Sequence, residues 1–337
     1  MTLKQLRYLV GIADSGLNIT SAAERLFTSQ PGISKQLKQL EAELGVQLFT
    51  RKGKSLAAIT PAGRDVIARA RKILREVSNI TSLASDLTAE LDGTLSIATT
   101  HTQARYVLPE VIRAFRERYP GVDLELHQGT SEQIAELVSA NKVDFAIATG
   151  SQDLFSHLTL LPIYDWHRIV LVPKQHALAK QQRKPLDLKT LAEYPLVTYV
   201  FSLTGESSFK RAFREQGLEP RVVFTARDAD IIKTYVRMGM GVGVIASMAF
   251  ECQDREDLVA IDARGLFPKV TTWLGFPRDM VLRGFMVDFI HLFAPHYSPR
   301  LIRDAAALPA QEQIGELLKD IPLPLRSGCE QQPTVAA

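Results

Sequence analysis

The chain reads as an α/β protein in which an all-α-dominated N-terminal winged helix-turn-helix domain precedes two Rossmann-like α/β lobes. Three observations predict this. Two short helical patterns are separated by a three-residue break within residues 19–44, positive charge gathers in the first 75 residues, and helical periodicity gives way near Asp92-Gly93 to alternating strands and helices. A length of 337 residues suits two or three domains, and a hydrophobic fraction of 46% is enough to build a core in each.

The first helix lies in LKQLRYLVGIADSG, where Leu3, Leu6, Val10 and Ala13 share a face. The pair that follows is ITSAAERLFTSQPGISKQLKQLEAEL. Its first half sets Ile19, Ala22, Ala23 and Leu26 at helical spacing, and the small alanines allow a second helix to cross close by. Phe27-Thr28-Ser29 forms the turn. The second half buries Ile33, Leu37, Leu40 and Leu44, with Thr28 or Ser29 available to cap it and Pro31 suited to its first turn. Its other face carries Gln30, Ser34, Lys35 and Lys38. An amide can read adenine bidentately, hydroxyls can reach base edges or phosphates, and lysines neutralise the backbone. On an ordinary helical hairpin the same face would simply be solvated.

The neighbouring residues favour DNA. Val46 to Leu48 and Leu56 to Ile59 alternate like the strands of a wing around the basic turn Arg51, Lys52, Gly53, Lys54. Residues 1–75 hold thirteen Lys and Arg against five Asp and Glu, whereas the whole chain carries only +3. Sequence-independent attraction to DNA is an electrostatic term of this kind. Arg51, Lys52 and Lys54 thus join Thr28, Ser29, Gln30, Pro31, Ser34, Lys35 and Lys38 as the candidate DNA-binding residues.

Thr60 and Pro61 look like the cap and first turn of a long helix in which Val66, Ala70, Ile73, Val77, Ile80, Ala84 and Leu87 recur at alternating intervals of four and three. That is a heptad seam, expected to meet a partner helix of another subunit or else the helix's own domain. Beyond it, Thr94 to Ala98, Asp123 to His127 and Asp144 to Ala148 read as strands, alternating with helices at Tyr106 to Tyr119 and Ser131 to Ala140. A second such unit starts near Arg168. Its strands are Ile169 to Val172, Leu196 to Tyr199, Val222 to Thr225 and Gly243 to Ile245, with helices at Ser207 to Gln216 and Asp228 to Met238. A strand at Thr271 to Phe276 and a helix from Met280 to Phe293 return to the first unit, so two crossovers flank a cleft. The expected boundaries are 1–60 for the DNA-binding domain, 61–90 for the linker helix and 91–309 for the lobes. Lobe I takes about 91–163 and 268–309, lobe II about 164–267, and a tail of 310–337 is expected to be loose after its amphipathic GELLKDI.

In open parallel sheets ligands sit at the carboxyl ends of the strands, against helix N-termini. Those ends are rich in hydroxyls here: Thr99-Thr100-His101-Thr102-Gln103, Thr149, Thr198 and Thr204-Gly205, with Trp166 between the lobes. Neutral donors of this sort suit a small anion or a polar metabolite, although threonine is also an ordinary N-cap. Other chemistry finds little support. The seven histidines form neither HxxxH nor HxH, and Cys252 and Cys329 are too few and too far apart for a disulfide framework or a thiolate site, so no metal or cofactor is expected. Gly239-Met240-Gly241-Val242-Gly243 follows a helix and precedes a strand, the reverse of the dinucleotide order, and reads as a helix stop. Without a GxSxG elbow or a spaced pair of carboxylates the chain is not expected to be an enzyme. No leader and no apolar run of roughly 20 residues is apparent, so a cytoplasmic protein without membrane spans is expected.

TSQPGISKQ, IATTHTQARY, DFAIAT, YPLVTY, IKTYVR, GVGVIASMA and FAPH together resemble the LysR-type transcriptional regulators over essentially residues 1 to 300, and within them the regulators of sulfur assimilation and cysteine biosynthesis. The resemblance implies a dimerising linker helix, a periplasmic-binding-protein-like effector domain, and homodimers or homotetramers on promoter DNA with RNA polymerase as a further partner. It also implies acetylserine as inducer and sulfate or thiosulfate as anti-inducer, held by Thr100, Thr102, Gln103, Thr149, Trp166 and Thr204. One loop departs from the pattern. Ser202 and Leu203 stand where Gly and Phe are usual, and Glu206 stands where Arg is usual. A paralogous regulator of sulfonate or organosulfur use that senses adenosine phosphosulfate is therefore the alternative.

Overall fold

A computed structural model describes residues 1–53, 55–87, 92–149, 152–180, 185–203 and 207–329, with the side chains of 82–87 and 152 outside the description. Lys54, Thr204, Gly205 and Glu206 thus lie outside the described residues, as do the side chains of Ala84 and Leu87. The chain divides into two compact units. One comprises residues 1–91 with 139–142 and 279–283, and the other comprises the remainder.

The first unit contains α1 (Leu3–Asp14), α2 (Ile19–Arg25), α3 (Gln30–Leu44), β1 (Phe49–Lys52), β2 (Ser55–Ile59) and α4 (Pro61–Leu87). Thr2 and Gln5 form a capping box on α1, Asn18 caps α2, and Ser29 caps α3 by accepting from Gly32 N at 3.3 Å. One core joins Leu6, Leu9 and Ile12 to Ala22, Ala23, Ile33, Leu37, Leu40, Leu48, Phe49, Ile67 and Ala70. The buried face of α1 is therefore turned from the expected one: Leu9 and Ile12 are 1% and 0% exposed and Leu3 is 42% exposed, because α4 packs along α1 as well. Leu44, expected in the core, is 37% exposed. It sits on the last turn of α3, which overhangs the core before Gly45 ends the helix at φ 67°.

The first wing strand starts three residues later than expected, at Phe49, while the second lies where expected, at Ser55–Ile59. Leu48 and Phe49 are fully buried at the base of the hairpin, and their N–H groups donate to Glu41 Oε1 at 2.9 and 3.3 Å. Arg51 and Lys52 are consequently strand residues, and the turn begins at Gly53, at φ 64°. The first turn of α4 presses on this base so closely that a Cβ on Gly63 would stand 2.0 Å from the Leu48 carbonyl oxygen.

The second unit starts with β3 (Gly93–Thr99), α5 (His101–Tyr106), α6 (Leu108–Arg118), β4 (Val122–Gln128), α7 (Ser131–Ser139), β5 (Phe145–Thr149) and β6 (Leu158–Trp166). Lobe II follows as β7 (Arg168–Pro173), α8 (Ala177–Lys180), α9 (Leu188–Ala192), β8 (Leu196–Tyr199), α10 (Ser208–Glu215), β9 (Val222–Ala226), α11 (Ala229–Arg237), β10 (Val242–Ala246) and β11 (Leu258–Asp262). The chain returns to lobe I through β12 (Val270–Pro277), α12 (Gly284–Phe293), α13 (Pro299–Ala307) and α14 (Gln311–Leu318). Sheet order is β4-β3-β5-β12-β6 in lobe I and β11-β7-β10-β8-β9 in lobe II. The expected parallel pairs are present, but β12 runs antiparallel to β5 and β6, and β7 runs antiparallel to β10 and β11. Both sheets are mixed. Gly239 stops α11 at φ 76° before β10, as the sequence suggested.

The tail overturns two expectations. Gln311 bonds both backbone groups of Leu160 and Ile314 and Leu318 are buried, so α14 is docked on lobe I. Farther on, Asp165 N donates to Pro324 O at 2.9 Å and Arg326 N to Asp165 O at 2.8 Å. Gly328 N and Cys329 N then donate to Ser247 O and Phe250 O of lobe II at 3.1 and 2.9 Å. Residues 324–329 are a strap across both lobes, not a loose end. Cys252 and Cys329 form a disulfide, with Cα atoms 5.1 Å apart. A sequence separation of 77 does not part them in space, because the tail folds back.

Candidate functional site

The polar face of α3 follows from its cap. Ser29 turns the chain into the helix, Pro31 occupies its first turn, and the buried stripe Ile33, Leu37, Leu40 leaves Gln30, Lys35 and Lys38 exposed and Ser34 half-buried. Pro31, Ser34, Lys35, Lys38, Gln39 and Ala42 line a shallow groove along it. The N-terminus of α3 adds partial positive charge at Gln30. Thr28 differs from its neighbours, since its Oγ1 lies 3.3 Å from the Tyr8 hydroxyl and ties the turn to α1. In the wing Arg51 is held by Glu41 at 3.3 Å, whereas Lys52 is exposed and, like Lys35 and Lys38, has no ion pair among the described residues. Phe27 was read only as part of the turn. It is 98% exposed at φ 49°, an aromatic presented to solvent beside the cap of α3.

In the second unit, the candidate cleft residues divide between the lobes. Thr100 is the N-cap residue of α5 but makes no side-chain cap bond, so its half-buried hydroxyl is not engaged by the helix. Gln103 and Thr149 converge on Thr272, a fully buried residue that the sequence reading did not single out. Gln103 Nε2 donates to Thr272 Oγ1 at 3.4 Å and the hydroxyls of Thr149 and Thr272 are 3.3 Å apart. The Tyr164 hydroxyl donates to Gln103 Oε1, and burial pushes that phenol up to about 12. This network is set by strand register, because Thr272 on β12 stands opposite Thr149 on β5. Thr198 is turned away from this role, bonded to Val244 O at 2.9 Å and to Ser202 Oγ at 3.2 Å inside lobe II.

Three contacts from α5 reach lobe II. The Thr102 side chain meets the buried Tyr199 hydroxyl, which also accepts from Ala246 N at 3.1 Å. The Tyr106 hydroxyl donates to Asp230 Oδ1 at 2.7 Å, and Arg105 pairs with Glu251 at 3.3 Å. Burial and the Asp230 carboxylate hold the Tyr106 phenol far above its ordinary range. His101, Asp228 and Asp230 also place one ligand atom each within 4.8 Å of one another, a grouping that no HxxxH or HxH spacing marks. The carboxylates already have work there: Asp228 caps α11, and Asp230 holds Tyr106 and lies 3.6 Å from Lys233.

Trp166 is 3% exposed, and its Nε1 has no hydrogen-bond partner among the described residues. Two residues on, Arg168 is also 3% exposed, with its guanidinium 5.7 Å from the ring centroids of Trp166 and Phe267. Its Nη1 donates to Ser208 Oγ on the first residue of α10 at 2.9 Å, and among the described residues its Nε has no partner and no carboxylate pairs with it. Burial pulls its pKa down to about 10. Sequence reasoning missed this arginine because DWHR carries no motif, and only depth distinguishes it from a surface cation.

Comparison with known proteins agrees with both halves of this geometry. Residues 3–64 match the bacterial regulatory helix-turn-helix proteins of the lysR family, and residues 88–298 match the LysR substrate binding domain. The chain is 46% identical to the HTH-type transcriptional regulator CysB of Haemophilus influenzae over 96% of its own length and 99% of that protein's. It is 43% identical to the HTH-type transcriptional regulator SsuR of Burkholderia cenocepacia, covering 88% and 96%. The crystal structure of the cofactor-binding domain of the Cbl transcriptional regulator superposes with a TM-score of 0.60 at 41% identity, covering 65% of this chain and 96% of that one. The described residues contain no helix long and apolar enough to cross a membrane. With both family regions present in order on one chain, this protein belongs to the LysR family of DNA-binding, helix-turn-helix transcriptional regulators, not to a family of enzymes.

Proposed function

We propose that this regulator controls genes of sulfur assimilation and cysteine biosynthesis, binding promoter DNA as a homodimer or homotetramer in the cytoplasm and acting on RNA polymerase. Its effector is a small sulfur-related metabolite in the cleft between the lobes, acetylserine as inducer and sulfate or thiosulfate as anti-inducer. The observation that carries this reading is the convergence of Gln103 on α5 and Thr149 at the carboxyl end of β5 on Thr272, near the amino end of the antiparallel β12, with the Thr100 hydroxyl not engaged by its helix. Neutral donors of that kind suit an oxyanion, and the likeness to CysB extends over nearly the whole chain. Thr102, Trp166 and Thr204 complete the proposed effector set. On DNA, Gln30, Ser34 and Lys35 read bases, while Lys38, Arg51, Lys52 and Lys54 meet phosphates and Thr28, Ser29 and Pro31 set the helix entry. The half-exposed row Ile73, Val77 and Ile80 on α4 supports the dimer.

A second reading has its own support. The likeness to SsuR and Cbl, and the departures at Ser202, Leu203 and Glu206, favour control of sulfonate or organosulfur use through adenosine phosphosulfate. Calorimetric titration of the full chain with sulfate, thiosulfate, acetylserine and adenosine phosphosulfate separates the two. Binding of adenosine phosphosulfate alone selects the second, and binding of none removes both. A gel shift on a promoter of a sulfur-assimilation operon, with scrambled DNA of equal length as control, tests the DNA half.

A further inference from the structure

A buried cation without a counter-charge is costly, and interiors contain one only where something compensates it. Arg168 is such a cation. It is 3% exposed, its Nε lacks an acceptor, and among the described residues no carboxylate pairs with it. The hydrogen bond it does make, to Ser208 Oγ, directs Nη1 at the start of α10, where backbone N–H groups add positive potential and increase the imbalance. Beside it Trp166 Nε1 is a second buried donor without an acceptor among the described residues. Tyr199, at the end of β8, sets its hydroxyl against Thr102 of lobe I.

We infer that Arg168 of lobe II, with the Trp166 indole N–H at the end of β6, is the counter-charge for an oxyanion, so that the effector must bring a negative group to the start of α10. This rests on the cleft being the effector site, and it adds what the hydroxyl set of lobe I cannot supply, selectivity for charge. Thr100, Gln103, Thr149 and Thr272 offer dipoles that a neutral polar molecule could also use. A planar guanidinium held between the faces of Trp166 and Phe267, 5.7 Å from each ring centroid, and bonded to Ser208 is fixed in place, and only an anion removes the cost of its burial.

The test uses the full chain and inorganic sulfate, thiosulfate and phosphate as probes in a chloride-matched buffer of low ionic strength, by calorimetry and by thermal melting. Arg168→Met should weaken every oxyanion that the wild type binds by about a hundredfold or more, as for loss of one partner of a buried charge pair. Arg168→Lys, which keeps the charge but not the planar fork, should lose about tenfold. The ligand-free Arg168→Met protein should melt no lower than wild type, since an uncompensated charge has gone. An arginine with a merely structural role would not behave so. Unchanged oxyanion affinity in a folded Arg168→Met protein overturns the inference, as does wild-type protein that binds no oxyanion. A ligand-free Arg168→Met protein that melts lower, with Glu206→Gln reproducing the drop, also overturns it by identifying an internal partner. Binding of phosphate through Arg168 without any sulfur compound would leave this inference standing while removing the sulfur reading.

Discussion

The row Ile73, Val77, Ile80 on α4 permits a test in which folding and assembly separate. Ile80 is 62% exposed and Ile73 39% exposed in the protomer, while Ile67 and Ala70, one to two turns earlier, are buried in the domain's own core. The first pair therefore contributes little to the fold of one chain and is available to another. Full burial of an isoleucine stabilises by about 1.5–3 kcal/mol, so covering the exposed part of Ile80 in each of two chains supplies roughly 2–4 kcal/mol to a dimer. Ile80→Glu removes that and also sets two carboxylates against each other in an apolar seam. A loss of at least about 3 kcal/mol is expected, which weakens the dimer constant on the order of a hundredfold or more. Sedimentation equilibrium over a range of protein concentration reads the constant, and circular dichroism at high concentration checks the fold. An Ile80→Glu protein that is folded and assembles with an unchanged constant would refute the reasoning, and the seam would then be a solvated face.

Three further outcomes are expected. Gln30→Ala should cost about 1–3 kcal/mol on the operator and little on random DNA, while Lys52→Ala should weaken both alike and lower the salt slope by about one; equal losses on both DNAs for Gln30→Ala would remove it from base reading. Thr272→Val leaves the volume nearly constant but takes the shared partner from Gln103 and Thr149, so sulfate affinity in titration should fall by about 1–2 kcal/mol; no change would detach that network from the ligand. Burial raises the Tyr164 and Tyr199 phenols to about 12, above the ordinary value near 10. Their contribution to stability is therefore complete below about pH 10 and is lost as pH rises from there towards 12, so melting temperature should fall over that window and fall less in Tyr164→Phe. A Tyr164→Phe curve parallel to wild type would contradict it.

What the sequence made legible was local. Ser29, Pro31 and the Ile33-Leu37-Leu40 stripe lie within twelve residues of one another, so cap and period identify both α3 and its polar face. The first wing strand is shifted from Val46–Leu48 because its buried residues, Leu48 and Phe49, sit together at its base and Thr50 to Lys52 are exposed, which leaves no alternation to read, whereas β2 keeps Leu56 in the core and lies where expected. β6 and β11 escaped for different reasons. β6 is buried on both faces along almost its whole length, and β11 shows only partial burial at an edge of its sheet. In the cleft, Thr100, Gln103 and Thr149 could be proposed from strand ends. Thr272 could not, since it lies 123 residues from Thr149 and its position depends on antiparallel register. Arg168 and the Cys252–Cys329 pair belong to the same class, for depth and chain reversal leave no mark on a linear pattern.

The strap of residues 324–329 makes the carboxyl end of this protein a poor place for a handle. A fluorophore or affinity tag fused after Ala337 is joined, eight residues upstream, to a segment hydrogen-bonded to Asp165 on one lobe and to Ser247 and Phe250 on the other. A Cβ at position 328 would stand 2.2 Å from the Phe250 carbonyl oxygen, so this threading tolerates no bulk at Gly328. Truncation at residue 310, a natural choice for an isolated effector domain, would delete the strap, α14 and one half of the disulfide together. Ligand affinities measured on such a fragment, or in a buffer whose thiol reductant opens Cys252–Cys329, would describe two lobes with one tether fewer than the native chain.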